Sequence, residues 1–144
     1  MVFDYSFRYC RPTSCSNWFY GGSNITSIVG MSENLNTENV TQAANMFRGC
    51  SSLTSIDLSR FNTAKITRMD YMFHDCSQLT ELDLTNFNTA EVYTMQGMFQ
   101  GCSALTTILV SDKWSVASLQ HSESMFTGCG TDEVTNDTRE AYVV

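Results

Sequence analysis

Met46-Phe47-Arg48-Gly49-Cys50-Ser51-Ser52-Leu53-Thr54-Ser55-Ile56-Asp57-Leu58-Ser59-Arg60-Phe61-Asn62-Thr63 is followed, 26 residues on, by Met72-Phe73-His74-Asp75-Cys76-Ser77-Gln78-Leu79-Thr80-Glu81-Leu82-Asp83-Leu84-Thr85-Asn86-Phe87-Asn88-Thr89. The Met-Phe pair occurs again at Met98-Phe99 and Met125-Phe126, at steps of 26, 26 and 27 residues, and each pair is trailed by Cys50, Cys76, Cys102 or Cys129. Working outward, Leu53, Leu79 and Leu105 share a register, as do Ile56, Leu82 and Ile108, then Leu58, Leu84 and Val110. Val40, Ile66, Val92 and Leu119 stand six residues before each Met. Trp18-Phe19-Tyr20-Gly21 aligns with Met46-Phe47-Arg48-Gly49 as a degenerate first unit. A repeat this regular decides the fold before any single residue does, because each unit buries its apolar face only against the next.

Two periods lie inside each unit. Ile56-Asp57-Leu58 and Leu82-Asp83-Leu84 alternate apolar with polar and read as short strands. Ile66, Met69, Met72 and Phe73 recur at helical spacing, repeated by Val92, Met95, Met98 and Phe99, and Asn62-Thr63 and Asn88-Thr89 stand where helix caps would. The expectation is an α/β solenoid of leucine-rich-repeat type, one short parallel strand and one short helix per unit. Its divisions are an N-terminal cap over 1–16, repeats over 17–45, 46–71, 72–97 and 98–124, and a partial repeat with a cap or tail over 125–144. Phe3, Tyr5, Phe7 and Tyr9 alternate with polar residues, so the first cap is expected to be a strand. Ala141-Tyr142-Val143-Val144 suit a thin cap at the other end.

The run from Met46 to Met69, recurring from Met72 to Met95, resembles the 26-residue repeat of BspA-like bacterial surface proteins. The likeness covers roughly residues 17–130 and includes the Trp18-Phe19 opening and the closing Ser111-Asp112-Lys113-Trp114-Ser115. The resemblance implies a secreted or surface-anchored protein that mediates adhesion and partner contact. It therefore implies an extracellular or cell-surface location, although Asp4, Arg8 and Arg11 interrupt any apolar stretch of a secretion signal at the start of this sequence.

Charge narrows the partners. Eight Lys and Arg stand against fifteen Asp and Glu, for a net −7, and the basic residues are scattered singly. Nucleic acid needs a basic footprint, so it is not expected. No apolar run approaches the ~20 residues of a membrane span, so direct membrane insertion is not expected either. No Ser or Cys nucleophile, His and acid form a recognisable motif; the expectation is no enzyme and no cofactor. A cysteine ladder with one thiol per unit does not converge on zinc, so Cys50, Cys76, Cys102 and Cys129 are expected as buried thiols and the Met columns as core. Cys10 and Cys15 fall outside that register, leaving a local bridge in an oxidising compartment or two free thiols. His74 and His121 are expected on the surface.

One face remains for function. With Ile56, Leu58, Leu82 and Leu84 inward, the outward set is Ser55, Asp57, Ser59, Glu81, Asp83, Thr85, Thr107, Leu109 and Ser111, a weakly acidic surface across several units. The reading is a non-enzymatic recognition or adhesion module for a protein or glycan partner at this face. The alternatives are a structural spacer and an accessory domain of a larger secreted enzyme.

Overall fold

The computed structural model describes residues 1–136. Its regular elements are few: a 3-10 helix at Tyr5–Tyr9, a one-turn helix α1 at Met31–Asn34, and strands β1 (Glu81–Asp83), β2 (Thr107–Val110) and β3 (Thr135–Asn136). The strands form one parallel sheet in the order β1-β2-β3, with Glu81 beside Thr107, Asp83 beside Leu109 and Val110 beside Asn136. Partners thus lie one repeat apart.

The wall carrying the Met-Phe pairs is not helical. Along Arg68–Cys76 the amides of Met69, Tyr71, Phe73 and Asp75 donate outward to the carbonyls of Thr94, Gln96, Met98 and Gln100. The amides between them, of Met72, His74 and Cys76, turn back to Met69, Tyr71 and Phe73. Backbone φ is positive at Tyr71 and Asp75, and at the same two positions of every layer: Asn17 and Gly21, Asn45 and Gly49, Gly97 and Gly101, Ser124 and Gly128. A left-handed residue at every fourth position cannot continue a right-handed helix. The apolar spacing at Ile66, Met69, Met72 and Phe73 instead belongs to tight turns whose inward side chains are fully buried. All four amides of a wall segment point the same way along the stack, giving the pairings Ser14–Gln42–Arg68–Thr94–His121.

Asn62-Thr63 and Asn88-Thr89 cap no helix. Thr63 Oγ1, buried, donates to Asn88 O at 2.9 Å and accepts from Asn88 N at 2.8 Å. Thr37 bridges to Asn62 and Thr89 to Ser115 in the same way. Each Asn closes its own turn, Asn62 Oδ1 accepting from Ala64 N and Asn88 Oδ1 from Ala90 N. One hydroxyl thus satisfies a backbone donor and acceptor of the next layer that would otherwise be unpaired.

Inside, Phe19, Phe47, Phe73, Phe99 and Phe126 stack nearly parallel at 5.4, 5.5, 6.0 and 5.7 Å. Beside them Cys50, Cys76 and Cys102 are free and buried, their thiols donating to the carbonyls of Phe19, Phe47 and Phe73 at 3.3, 3.1 and 2.9 Å. Cys15 is free and buried too, outside the cysteine column as expected: the pairing of Ser14 with Gln42 sets it level with Ala43 and Met69 instead. Cys10 is exposed and free.

The N-terminal segment differs from the expected strand. Only Val2 bridges, to Val29. Asp4 then accepts from Ser6 N and caps the 3-10 helix, which turns Phe3 and Phe7 onto the same side, 4.7 Å apart, with Phe3 over Phe19. An aspartate that satisfies the first free amide competes with extension. The Ala141–Val144 cap lies outside the described residues.

Candidate functional site

The outward set separates into two groups. Glu81, Asp83, Thr107 and Leu109 sit side by side across β1 and β2, Glu81 and Asp83 exposed, Thr107 and Leu109 half-buried. Ser55, Asp57 and Ser59 are exposed but lie in extended chain outside the named strands. Thr85 and Ser111, both half-buried, close the strand ends. Ile56, expected inward, is only half-buried, whereas Leu58, Leu82 and Leu84 are fully enclosed.

Two of the acids hold the fold rather than stand free. Asp57 Oδ1 accepts from Ser59 N at 3.0 Å, and Oδ2 accepts from Ser32 Oγ at 2.8 Å in α1. Those bonds, the Ser59 contacts foremost, hold its carboxyl below the usual range. Asp83 Oδ1 accepts from Thr85 N at 3.0 Å and Thr85 Oγ1 at 2.6 Å. A pinned carboxylate keeps some lone pairs for a partner and loses little freedom when one arrives.

The histidines differ from each other. His121 is exposed, 3.6 Å from Glu123. His74 is not on the surface as expected: its side chain is 13% exposed and meets the Tyr71 ring edge-on at 5.6 Å. Its Nδ1 lies 3.0 Å from Asp75 Oδ2 but off the bonding direction, and has no hydrogen-bond partner. Neither imidazole touches a serine or cysteine through the hydrogen bonds of the described residues. Among those residues no group of three or more His, Cys, Asp or Glu could hold a metal, and no helix is long and apolar enough to cross a membrane.

The turn wall holds an arrangement that the sequence did not disclose. The Arg48 guanidinium lies over the rings of both Tyr20 and Tyr71, 5.6 and 5.0 Å from their centroids, and Nη1 donates to Asn45 Oδ1 at 3.2 Å. Further along, Arg68 makes a two-pronged pair with buried Asp70 at 3.0 and 2.9 Å.

The repeat therefore sets one register from residue 14 to residue 136, and it is this span that known proteins share. Residues 13–138 match the family described as Mycoplasma protein of unknown function, DUF285. The chain belongs to this family. The DUF285 match takes in the whole outward face and the Tyr20–Arg48–Tyr71 wall, leaving out only the first cap residues and the last six. No curated protein and no solved structure matches the chain.

Proposed function

We propose that this chain is a leucine-rich-repeat-type solenoid serving as a non-enzymatic recognition or adhesion module, extracellular or on a bacterial cell surface, for a protein or glycan partner. One observation carries the reading: outward residues one repeat apart, Glu81 with Thr107 and Asp83 with Leu109, lie side by side above columns that are fully buried. Such a face is rigid, so its side chains contribute to binding without first being ordered. Its exposed positions, such as Ser55 and Glu81, can vary without disturbing the buried columns. Membership of the DUF285 family agrees with a surface-associated bacterial protein. The exposed acids at 57, 81 and 83 favour a partner with basic or cation-bridged groups, whose association salt weakens.

The test pairs two variants, each assayed below its own melting transition so that both are folded. One is Asp57→Ala with Glu81→Ala and Asp83→Ala; the other, on a different side, is Lys65→Ala with Glu91→Ala. Arg68 is left intact because it pairs with buried Asp70. Against ligands captured from a protein and glycan array, the first variant is expected to lose binding and the second to keep it. The reverse pattern rejects the face.

A further inference from the structure

We propose that Tyr20, Arg48 and Tyr71 form a second binding site, on the turn wall, for the carboxylate of an acidic saccharide. It is separate from the strand face and does not depend on that face being a site.

Tyr71 is the starting point. It sits at φ +56, in the column occupied elsewhere by Asn17, Asn45, Gly97 and Ser124. Asn and Gly tolerate this conformation, whereas a bulky aromatic side chain there is strained. Strain of this kind clusters at binding and catalytic sites. The ring at Tyr71 meets His74 edge-on, lies against Arg48, and covers Gly97, where an added Cβ would come within 2.5 Å of it. The smallest residue in the next layer leaves it the room.

Arg48 is the second observation. Arg11 and Arg68 pair with the carboxylates of Glu38 and Asp70, while Arg8 and Lys65 are each bonded to an asparagine, as Arg48 is. Arg48 is half-buried, oriented by Asn45, and no carboxylate of the described residues stands within ion-pair distance of it. Two aromatic rings flank the guanidinium, which keeps nitrogens beyond the one bonded to Asn45. A planar fork so held suits a carboxylate, bonded by two parallel N–H groups.

The saccharide follows from the surroundings. Each backbone amide from Asn45 to Cys50 already donates within the turns or to the next layer, so a peptide strand finds no free ladder to join. What the wall offers is side chains suited to hydroxyls: Tyr20 and Tyr71, Asn45, and Gln100 close beside Gly97. Tyr20, 57% exposed, keeps ring surface open for the apolar face of a sugar.

The experiment titrates the intact chain with a galacturonic acid tetramer, with the same tetramer methyl-esterified, and with oligoglutamate, by calorimetry at low and high salt. The proposal expects saturable binding of the free acid that weakens with salt, and none of the ester. Arg48→Gln is expected to lower affinity at least about tenfold and Arg48→Lys several-fold, as a lost two-pronged contact does. Tyr71→Asn, which suits the backbone better, should melt at or above the wild-type temperature and still lose affinity. The Asp57, Glu81 and Asp83 triple variant should bind the tetramer as the wild type does, so this site and the strand face succeed or fail separately. Absence of binding by the wild type, equal binding of the ester, an Arg48→Gln variant with unchanged affinity, or preferred binding of oligoglutamate each overturns the assignment.

Discussion

Cys102 shows how one side chain can read as chemistry and behave as packing. Its thiol donates to Phe73 O at 2.9 Å, and burial pushes its pKa up to about 12 from an ordinary 9.0. Unfolded, the same thiol ionises above its ordinary value; folded, it stays neutral until about 12. The stability it contributes is therefore complete below pH 9 and is lost as pH rises from there towards 12. Urea unfolding across that window should show a falling free energy, and Cys102→Ala should flatten the fall; an equal slope in both proteins refutes the link. With a thiol reagent Cys10 should react at once and Cys50, Cys76 and Cys102 only in denaturant. Phe73→Ala should cost ~3–5 kcal/mol, since both faces of the ring are stacked. His74→Ala, against Tyr71, should cost about 0.5–1.5 kcal/mol, more than a surface change. Chemical denaturation of the pair measures both.

At the scale of the element, the threonine bridges carry as much order as the short sheet. Thr63→Val keeps the shape but leaves Asn88 N without its acceptor, which should cost about 1–3 kcal/mol. Thr63→Ser should recover most of that loss; a valine variant as stable as the wild type would mean water takes over the role. The turn wall makes a second element-level statement. Its periodic apolar residues imitate a helix because inward positions recur every three or four residues in either structure. What separates the two is positive φ at positions such as Asn45 and Gly49, residue types that accept left-handed turns. Tyr71 in the same column is not such a type, and its identity argues against the conformation it adopts. Far-UV circular dichroism should accordingly lack a strong helical signal.

At the scale of the whole molecule, the inter-layer amides within the wall's turn segments donate toward the next layer, whereas Thr41, Thr67 and Tyr93 at the segment entries donate back to Thr13, Thr41 and Thr67. Interior layers are paired on both sides, but the amides of Ser122, Ser124, Phe126 and Gly128 meet no acceptor among the described residues. Phe126 and Met125 are correspondingly half-buried where Phe99 and Met98 are enclosed. Stability should therefore be graded along the stack. In hydrogen exchange, the amides of Tyr71, Phe73 and Asp75 should be the slow class and those four the fast one. Uniform protection from Phe73 to Gly128 would contradict the gradient.

The sequence by itself determined the 26-residue period and most of the inward columns, Ile56 excepted, because burial of a repeated apolar position follows residue type and spacing. Met46, Met72 and Met98 could be placed beside one another without coordinates, and so could Leu82 beside Ile108. Only the tertiary structure decided what lay between the columns. Whether Arg68–Cys76 became helix or turn depended on carbonyls one repeat away that receive its amides. Asp4, by capping, turned an alternating Phe-Tyr segment into a 3-10 helix. The Tyr20–Arg48–Tyr71 sandwich joins three layers through side chains at variable positions, and no periodicity records which variable residues will meet. Repetition fixes the residues that must be alike, whereas contacts among the unlike ones exist only once the layers are stacked.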